Sequence, residues 1–451
     1  MGLDHIGFDY ANAMAEAIGR ENGINENELS KFAEGEGKKA AMALAQAQAA
    51  GSLAFADAPF DREMAEESKS LAEELHGKYE NVVIIGIGGS ALGCTTIHSA
   101  LLHPMHNFMS HDERGGHPRW FVLDNVDPDI TSALIEHLDL SKALFVITSK
   151  SGGTPETMAN FAVVHERLVN LLGKSEAASR FVMITDPEKG FLRELVKRVG
   201  LHSLPIPTKL GGRFSVLCSV GMFPAALCGI DIEAFLAGAR KMVELSLNAT
   251  NPMESPANLA AMVYYLADTQ KGKNINVMFP YSSRLTAFSD WFVQLWGESL
   301  GKEKNRAGEV ISVGPTPLPA IGATDQHSQN QLFMEGPADK VITFIDVERF
   351  GSEVLIPDDF KSDPGIGYLA GHTLTELIRT EKLGTELALK ERKRPTCSIT
   401  LPHIDAEVMG QLLMMFMLAT AFSGELYNIN AFIQPGVDLG KKITKERLSA
   451  Q

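Results

Sequence analysis

The fold of this chain is decided by the stretch Val82-Val83-Ile84-Ile85-Gly86-Ile87-Gly88-Gly89-Ser90-Ala91-Leu92-Gly93. Its first four residues are apolar and β-branched, which predicts a short strand buried on both faces. The glycines that follow predict a tight turn, and the residues after Ser90 begin a helix. A buried strand, a glycine turn and a helix in this order are typical of a parallel sheet covered by helices.

Runs of the same kind recur outward from this stretch, with helix-length segments between them. In the first half of the chain they lie at 82–85, 120–123, 144–148 and 181–185. In the second half they lie at 276–279, 310–313, 341–347 and 398–401. The pattern predicts an α/β protein with two doubly wound parallel-sheet domains, helices on both sheet faces, and helical segments at the N- and C-terminal ends.

The predicted organisation has four parts. Residues 1–60 form a helical N-terminal segment, 61–248 the first α/β domain, 249–430 the second, and 431–451 a C-terminal segment. The boundary between the domains is placed where Asn and Pro residues interrupt the periodicity after residue 247. The two domains share no residue-level repeat, so a duplication is inferred only from the order of elements.

Composition excludes several function classes. The 451 residues include 41 Lys and Arg against 56 Asp and Glu, a formal net charge of −15, which argues against nucleic-acid and anionic-membrane partners. The four cysteines are scattered and form no C-x-x-C pair, which predicts reduced, buried thiols and no zinc site. Residues 1–6 lack the features of a signal peptide, and the longest apolar run, 412–422, is shorter than a bilayer span. We therefore expect a soluble, cytoplasmic protein.

The glycine turn admits a second interpretation. Gly86, Gly88 and Ala91 match the dinucleotide fingerprint G-x-G-x-x-A, which would indicate a nicotinamide-dependent dehydrogenase. That fingerprint requires an acidic residue about 20 positions further on, whereas Asp124 lies 38 residues past Gly86. The alternative is that backbone N–H groups of the turn hold an anion. Since no G-x-x-x-x-G-K-[ST] motif occurs, ATP chemistry is not supported.

A second loop indicates an anion site more strongly. After the strand at 144–148 comes Ser149-Lys-Ser-Gly-Gly-Thr-Pro-Glu-Thr157, where Thr154 is a natural N-cap and Pro155 a first helical residue. Hydroxyls, glycines and a helix N-terminus together supply donors for a phosphate monoester, and the helix terminus contributes ~0.3–1 kcal/mol. The alternative is an ordinary Ser/Gly turn.

Acid–base groups lie further along the chain. Gln294 and Glu298 are four residues apart on a predicted aromatic-rich helix, 283–297, and share one face, so both can enter one cleft. Arg213 follows a glycine pair, and His327 lies in a polar loop. Taken alone, each has a plain structural alternative: a solvated helix end for Glu298, a structural salt bridge for Arg213 and a surface position for His327.

Six motifs together give the chain a resemblance to a known family. In order they are Gly86-Ile-Gly-Gly-Ser90, Ser149-Lys-Ser-Gly-Gly-Thr-Pro-Glu-Thr157, Gly211-Gly-Arg-Phe-Ser215, Glu298-Ser-Leu-Gly-Lys302, Thr324-Asp-Gln-His-Ser328 and Gln434-Pro-Gly-Val-Asp-Leu-Gly-Lys441. Residues 80–445 resemble the phosphoglucose isomerase family, in its shorter bacterial form. The resemblance implies two sugar isomerase (SIS) domains, a homodimer, and no metal or cofactor.

The resemblance also implies roles for individual residues. Glu298 would move a proton between C2 and C1, Arg213 would stabilise the enediolate, and His327, supplied across the dimer interface, would open the sugar ring with help from Lys441. The implied substrate-binding residues are Gly88, Gly89, Ser90, Ser149, Lys150, Ser151, Thr154, Gln294 and Gln434. The C-terminal segment would then return to the active site.

The implied activity is reversible isomerisation of glucose 6-phosphate and fructose 6-phosphate, in glycolysis and gluconeogenesis. The alternative is a non-catalytic sugar-phosphate-binding regulator of the same fold, which would need the Ser149 loop but not Glu298, Arg213 and His327 together. Two departures from the family pattern affect these expectations. The chain lacks the extended termini of longer members, and residues 324–327 read Thr-Asp-Gln-His where long members have Asn-Gly-Gln-His.

Overall fold

The computed structural model describes residues 6–450. The strands are β1 Gly7–Asp9, β2 Asn81–Ile85, β3 Arg119–Leu123, β4 Ala143–Ser149, β5 Phe181–Thr185, β6 His202–Pro205, β7 Ile275–Pro280, β8 Lys302–Lys304, β9 Val310–Val313, β10 Thr316–Pro319, β11 Lys340–Val347 and β12 Thr396–Leu401. The helices are α1 Ala15–Ile18, α2 Glu26–Phe32, α3 Lys38–Ala49, α4 Ala54–Asp57, α5 Arg62–Leu75, α6 Leu92–Leu101, α7 Pro128–His137, α8 Pro155–Leu172, α9 Lys174–Ala178, α10 Phe191–Val199, α11 Ser219–Leu227, α12 Ile232–Leu247, α13 Pro256–Lys271, α14 Thr286–Leu300, α15 Asn330–Glu335, α16 Leu374–Glu391, α17 Ala406–Leu426 and α18 Asp438–Ser449.

The first sheet has the order β3-β2-β4-β5-β6, and all of its pairs are parallel. Alternate residues of β2 enter different cores: Val82 and Ile84 pack into one, Val83 and Ile85 into another. Since a strand's side chains alternate between faces, this sheet is buried on both sides. The prediction of a doubly covered parallel sheet is confirmed.

The second sheet has the order β1-β12-β11-β7-β10. Its central pairs are parallel, while β1, from the first sixty residues, adds an antiparallel edge to β12. Its side chains also divide between two cores, with Met278 in the core shared with the first unit and Phe279 in a separate core. The domain bounds named above stay predictions.

One predicted strand lies outside this sheet. Residues 310–313 form β9, which pairs antiparallel with β8 in a separate two-stranded ribbon, and the strand that joins the main sheet is β10. The side chains of β9 alternate between exposed and half-buried, and Val310 is 67% exposed. A strand covered on one face only fits an antiparallel ribbon and not the interior of a parallel sheet.

Helix α17 occupies the centre of the shared core. It is long and apolar enough to cross a membrane by length and composition alone, but 89% of its most apolar window is buried inside the protein, as in a core helix. The four cysteines are buried free thiols, as predicted, and burial raises the pKa of Cys94 and Cys218 to about 12.

Helices α6 and α14 join the two units and pack side by side in opposite directions. At one end, Gly88, just before α6, lies against the amide of Gln294. Further along, the Thr96 hydroxyl donates to the Ala287 carbonyl at 2.9 Å. This antiparallel contact brings the start of α6 and the end of α14 to one place, although they lie about 200 positions apart in sequence.

Burial of His98 on α6 makes stability depend on pH. Its imidazole stacks on Trp120 with centroids 3.3 Å apart, Nδ1 bonds the Cys94 carbonyl at 2.7 Å, and burial lowers its pKa from 6.5 to about 3. Between these values the unfolded chain binds a proton that the folded protein does not, so stability is lost as pH falls from 6.5 toward 3. We expect His98 to contribute a loss of about 2 kcal/mol by pH 5.

The measurement is urea unfolding of the wild type and His98→Gln at pH values from 7 to 5. Because carboxylates titrate in both proteins, the difference between the two curves isolates the contribution of His98. The difference between the two unfolding free energies should shrink as pH falls. A constant difference across this range would contradict the prediction.

Candidate active site

A cup of hydroxyl groups forms where β4 ends and α8 begins. The Ser149 and Thr154 hydroxyls are 2.9 Å apart, and the Ser151 hydroxyl lies 3.5 Å from each. Thr154 is the N-cap residue as predicted, but its hydroxyl makes no capping bond and faces Ser149 instead. Backbone N–H groups at the start of α8 are therefore left for an anion. Ser149 forms the buried floor of the cup and does not line the cleft, whereas Ser151 and Thr154 do.

The Gly86–Ser90 loop forms the wall next to the cup. A Cβ at Gly89 would lie 2.1 Å from the carbonyl oxygen of Gly212, and one at Gly88 would lie 2.7 Å from the Gln294 amide nitrogen. Gly88 also has φ +57°, a left-handed conformation that favours glycine. These glycines are thus accounted for by the close approach of the loop to the Arg213 turn and to α14.

Arg213 lies beneath the cleft with its guanidinium almost fully engaged. Nε donates to the Ser299 hydroxyl at 2.6 Å, Nη2 to the Ala431 carbonyl at 2.6 Å, and Nη1 to Gln434 Oε1 at 2.8 Å and Glu298 Oε2 at 3.2 Å. Burial lowers the pKa of Arg213, and the Glu298 carboxylate opposes this shift. A charge held in this way is preorganised and cannot easily move away from a substrate.

Glu298 and Gln294 enter the cleft together from the last two turns of α14. Gln294 Nε2 donates to Glu298 Oε1 at 3.2 Å, as their four-residue spacing predicts. The second carboxylate oxygen faces Arg213, and the Glu298 side chain remains 35% exposed. Trp296, two residues before Glu298, is fully buried on the opposite side of the helix, and the Glu298 carboxylate lines the cleft.

Lys302 supports this constellation, and sequence reasoning assigned it no role. Its ammonium donates to the carbonyls of Glu298 and Ser299, each at 2.7 Å, and of Gly301 at 3.3 Å, and thereby caps α14. Burial and then the nearby Arg213 lower the pKa of Lys302 to about 8, against the opposing effect of Glu298. The sequence signal that could have indicated this cap is a lysine directly after a glycine at the end of a predicted helix.

The cleft has a volume of about 720 Å³ and collects most of the predicted site residues. Those that line it are Gly88, Gly89, Ser90, Lys150, Ser151, Thr154, Arg213, Gln294, Glu298, Gln434 and Lys441. Three further charged residues that the sequence did not single out also line it, namely Glu156, Asp186 and Lys189. Basic side chains next to the cup favour an anionic ligand despite the negative net charge.

Two of these residues are placed differently from the others. The Lys150 ammonium donates to the carbonyls of Thr208 at 2.6 Å and Leu210 at 2.9 Å, so it also ties the cup to the loop before Arg213. Lys441 reaches the cleft from α18, a helix without buried residues.

His327 does not line the cleft of its own chain. It ends the 3-10 turn Thr324–His327 with an exposed side chain. The turn itself is held firmly, because Gln326 Nε2 donates to the Tyr281 hydroxyl at 2.7 Å and to the Glu381 carbonyl at 3.1 Å. An exposed histidine on an anchored turn is available to a second molecule.

Two parallel α/β units, with an anion cup facing a carboxylate–guanidinium pair, define a phosphosugar-binding protein of the SIS class. Residues 64–450 match the family described as phosphoglucose isomerase. The chain is 43% identical over 407 residues to the glucose-6-phosphate isomerase of Carboxydothermus hydrogenoformans, covering 90% of this chain and 87% of the relative. It is 42% identical to the glucose-6-phosphate isomerase of Rubrobacter xylanophilus, covering 87% of this chain and 88% of the relative. The chain belongs to the phosphoglucose isomerase family.

Solved structures agree with this assignment. A hypothetical protein from Thermus thermophilus superposes with a TM-score of 0.85 and 36% identity, over 98% of this chain and 99% of that one. A glucose-6-phosphate isomerase from Chlamydia trachomatis gives a TM-score of 0.75 and 25% identity, over 86% of this chain and 73% of that one. The predicted family and fold class are thereby confirmed.

Proposed function

We propose that Glu298 carries one proton between C2 and C1 of a sugar phosphate bound in the cleft. The chain is an aldose–ketose isomerase that interconverts glucose 6-phosphate and fructose 6-phosphate. The observation that carries the assignment of Glu298 is its position: its carboxylate shares one cleft with Arg213 and with the hydroxyl cup. A single carboxylate can make both transfers, because an enediolate presents C1 and C2 on the same face.

The other residues of the cleft either bind the substrate or stabilise the charge that develops during the reaction. The cup and the Gly88–Ser90 loop hold the phosphate, a remote group whose binding energy positions the reacting carbons. Arg213 faces the negative charge that develops on the enediolate oxygens. Gln294 orients Glu298, and Gln434 contacts Arg213 at the rim. These groups supply both proton transfer and charge stabilisation, so we propose that no metal or cofactor takes part.

The direct test is an assay of the purified chain with glucose 6-phosphate in excess chelator, followed by NMR in D₂O. We expect fructose 6-phosphate to form and deuterium to appear at C2 of glucose 6-phosphate. The reason is that a proton held by a carboxylate in an open cleft exchanges with solvent. A non-catalytic regulator would bind the sugar phosphate with neither result, and that outcome would overturn the assignment.

We further propose that the chain acts in the cytoplasm as a homodimer in which His327 opens the sugar ring in the partner's cleft, assisted there by Lys441. Support comes from the exposed position of His327 on its anchored turn and from its absence from the cleft of its own chain.

Mixing two inactive variants tests this arrangement. Glu298→Gln and His327→Ala homodimers should each be impaired, whereas a hybrid dimer contains one site with both Glu298 and His327. Random reassociation should restore about a quarter of wild-type activity, because half of the dimers are hybrids with one working site of two. A mixture no more active than its components would show that His327 acts within its own chain or not at all. Remixing each variant with itself is the control.

A further inference from the structure

The two sheets repeat one strand order. In the first sheet the neighbours run β3-β2-β4-β5, and in the second they run β10-β7-β11-β12, all parallel. The hydroxyl cup and the glycine loop follow β4 and β2 at their carboxyl ends. In the second sheet, β11 and β7 occupy the equivalent places. Ligands of open parallel sheets bind outside the carboxyl ends of neighbouring strands, so the second sheet has an equivalent position for a ligand.

The helices after β2 and β7 extend this pseudo-symmetry. Because α6 and α14 run antiparallel, the active cleft lies at the start of α6 and the end of α14. The pseudo-symmetry pairs α6 with α14. The position in the second unit that is equivalent to the active cleft therefore lies at the start of α14 and the end of α6. There the Ser99 hydroxyl of α6 donates to the carbonyl of Arg284, two residues before α14, at 3.1 Å.

A cavity of about 920 Å³ lies at this second position, larger than the active cleft. Its walls come from the end of α6 and from the residues after β7, β11 and β12, and they include Leu102, Pro104, Arg284, Arg349, Phe350 and His403. The segments of the second unit that build this cavity are therefore equivalent to the segments of the first unit that build the active cleft.

The charged groups of this cavity are mostly basic. Arg284 Nε is buried and has no hydrogen-bond partner within residues 6–450, and burial alone lowers its pKa. Arg349 Nη2 lies 3.2 Å from His403 Nδ1, and the other nitrogen of His403 faces Asp405 at 2.5 Å. A half-buried guanidinium without a counter-ion is costly, and an anion in the cavity would offset that cost.

We infer that this cavity is a second, non-catalytic binding site for a small organic phosphate. Arg284 and Arg349 hold the phosphoryl group, the nearby start of α14 adds its favourable dipole, and Leu102, Pro104 and Phe350 contact the carbon skeleton. The site binds without catalysing isomerisation, because α6 has no carboxylate where α14 has Glu298. Guanidinium groups here replace the hydroxyls of the active-site cup.

Binding of radiolabelled inorganic phosphate to the intact enzyme tests the inference. Equilibrium dialysis should give two sites per chain. The double variant Ser151→Ala and Thr154→Val should weaken one, while Arg284→Met and Arg349→Met should each weaken the other by about tenfold, the effect of losing one charge-assisted hydrogen bond. Arg349 is exposed, so its variant keeps the test valid if Arg284→Met does not fold.

Arg392→Met, at an exposed arginine outside both cavities, is the matched control and should leave both sites unchanged. Isomerase activity without added phosphate should persist in the Arg284 and Arg349 variants, which separates this site from the active cleft. Tungstate soaked into crystals of the enzyme should appear between Arg284 and Arg349. The inference is overturned by a single phosphate per chain, by a second site that both arginine variants leave intact, or by tungstate bound elsewhere only.

Discussion

Glu298→Gln is expected to lower kcat for isomerisation by about 10³-fold, since it removes the proposed base for the C2 proton, and general base catalysis typically contributes about 10² to 10⁴-fold. The amide has the same shape and can still contact Gln294 and Arg213, so binding of glucose 6-phosphate should change only a few-fold. Single-turnover kinetics and C2 deuterium exchange measure the first effect, and calorimetry measures the second.

The matched control is Glu303→Gln, which makes the same change at an exposed position of β8 just beyond the helix. It should leave both kinetics and binding unchanged. If Glu298→Gln kept turnover within tenfold of the wild type, another base would have to move the proton.

Arg213→Lys is expected to have the second largest effect. A lysine keeps the positive charge but cannot reach Ser299, Glu298, Gln434 and the Ala431 carbonyl at once, as the guanidinium does. Loss of a preorganised donor to a developing oxyanion typically lowers kcat by about 10² to 10³-fold. We expect kcat to fall by this amount and KM to change less, as measured by steady-state kinetics.

Stability offers a second measurement on the same variant. The Ala431 carbonyl would lose its partner, which costs about 1–3 kcal/mol for a buried group, so thermal unfolding should begin at a lower temperature. Arg240→Lys is the control, because Arg240 also donates to a backbone carbonyl, that of Pro59 at 2.8 Å, but lies outside the cleft. A fall in stability with unchanged kcat would show that Arg213 stabilises the fold and does not take part in the reaction.

Much of the fold and part of the site could be predicted from local pattern. The apolar runs at 82–85 and 144–148 became central strands because strands buried on both faces must be apolar throughout. The run at 310–313 shows the limit of this rule. It has the right residue types, yet its place in a separate ribbon depends on its pairing with β8, which no local pattern encodes.

The site divides in the same way. The spacing of Gln294 and Glu298 predicted their contact, since residues four apart on a helix share a face. The places of Asp186 and Lys189 in the cleft were missed because they depend on neighbours from distant parts of the chain, whereas the cap that Lys302 forms on α14 is a local feature that was overlooked. Lys150 was assigned to the substrate, but no sequence signal indicated that its ammonium would bond Thr208 and Leu210.

By itself, the sequence determined the two parallel α/β units, the glycine turn after β2, the hydroxyl-rich turn after β4, and the carboxylate on α14, because backbone periodicity and turn chemistry act over a few residues. Only the tertiary structure decided that Arg213 meets Glu298 from 85 positions away, that His327 faces outward, and that Arg284 lines a second cavity. These placements depend on contacts between segments far apart in sequence, which are set by burial of apolar surface over the whole molecule and not by any short segment.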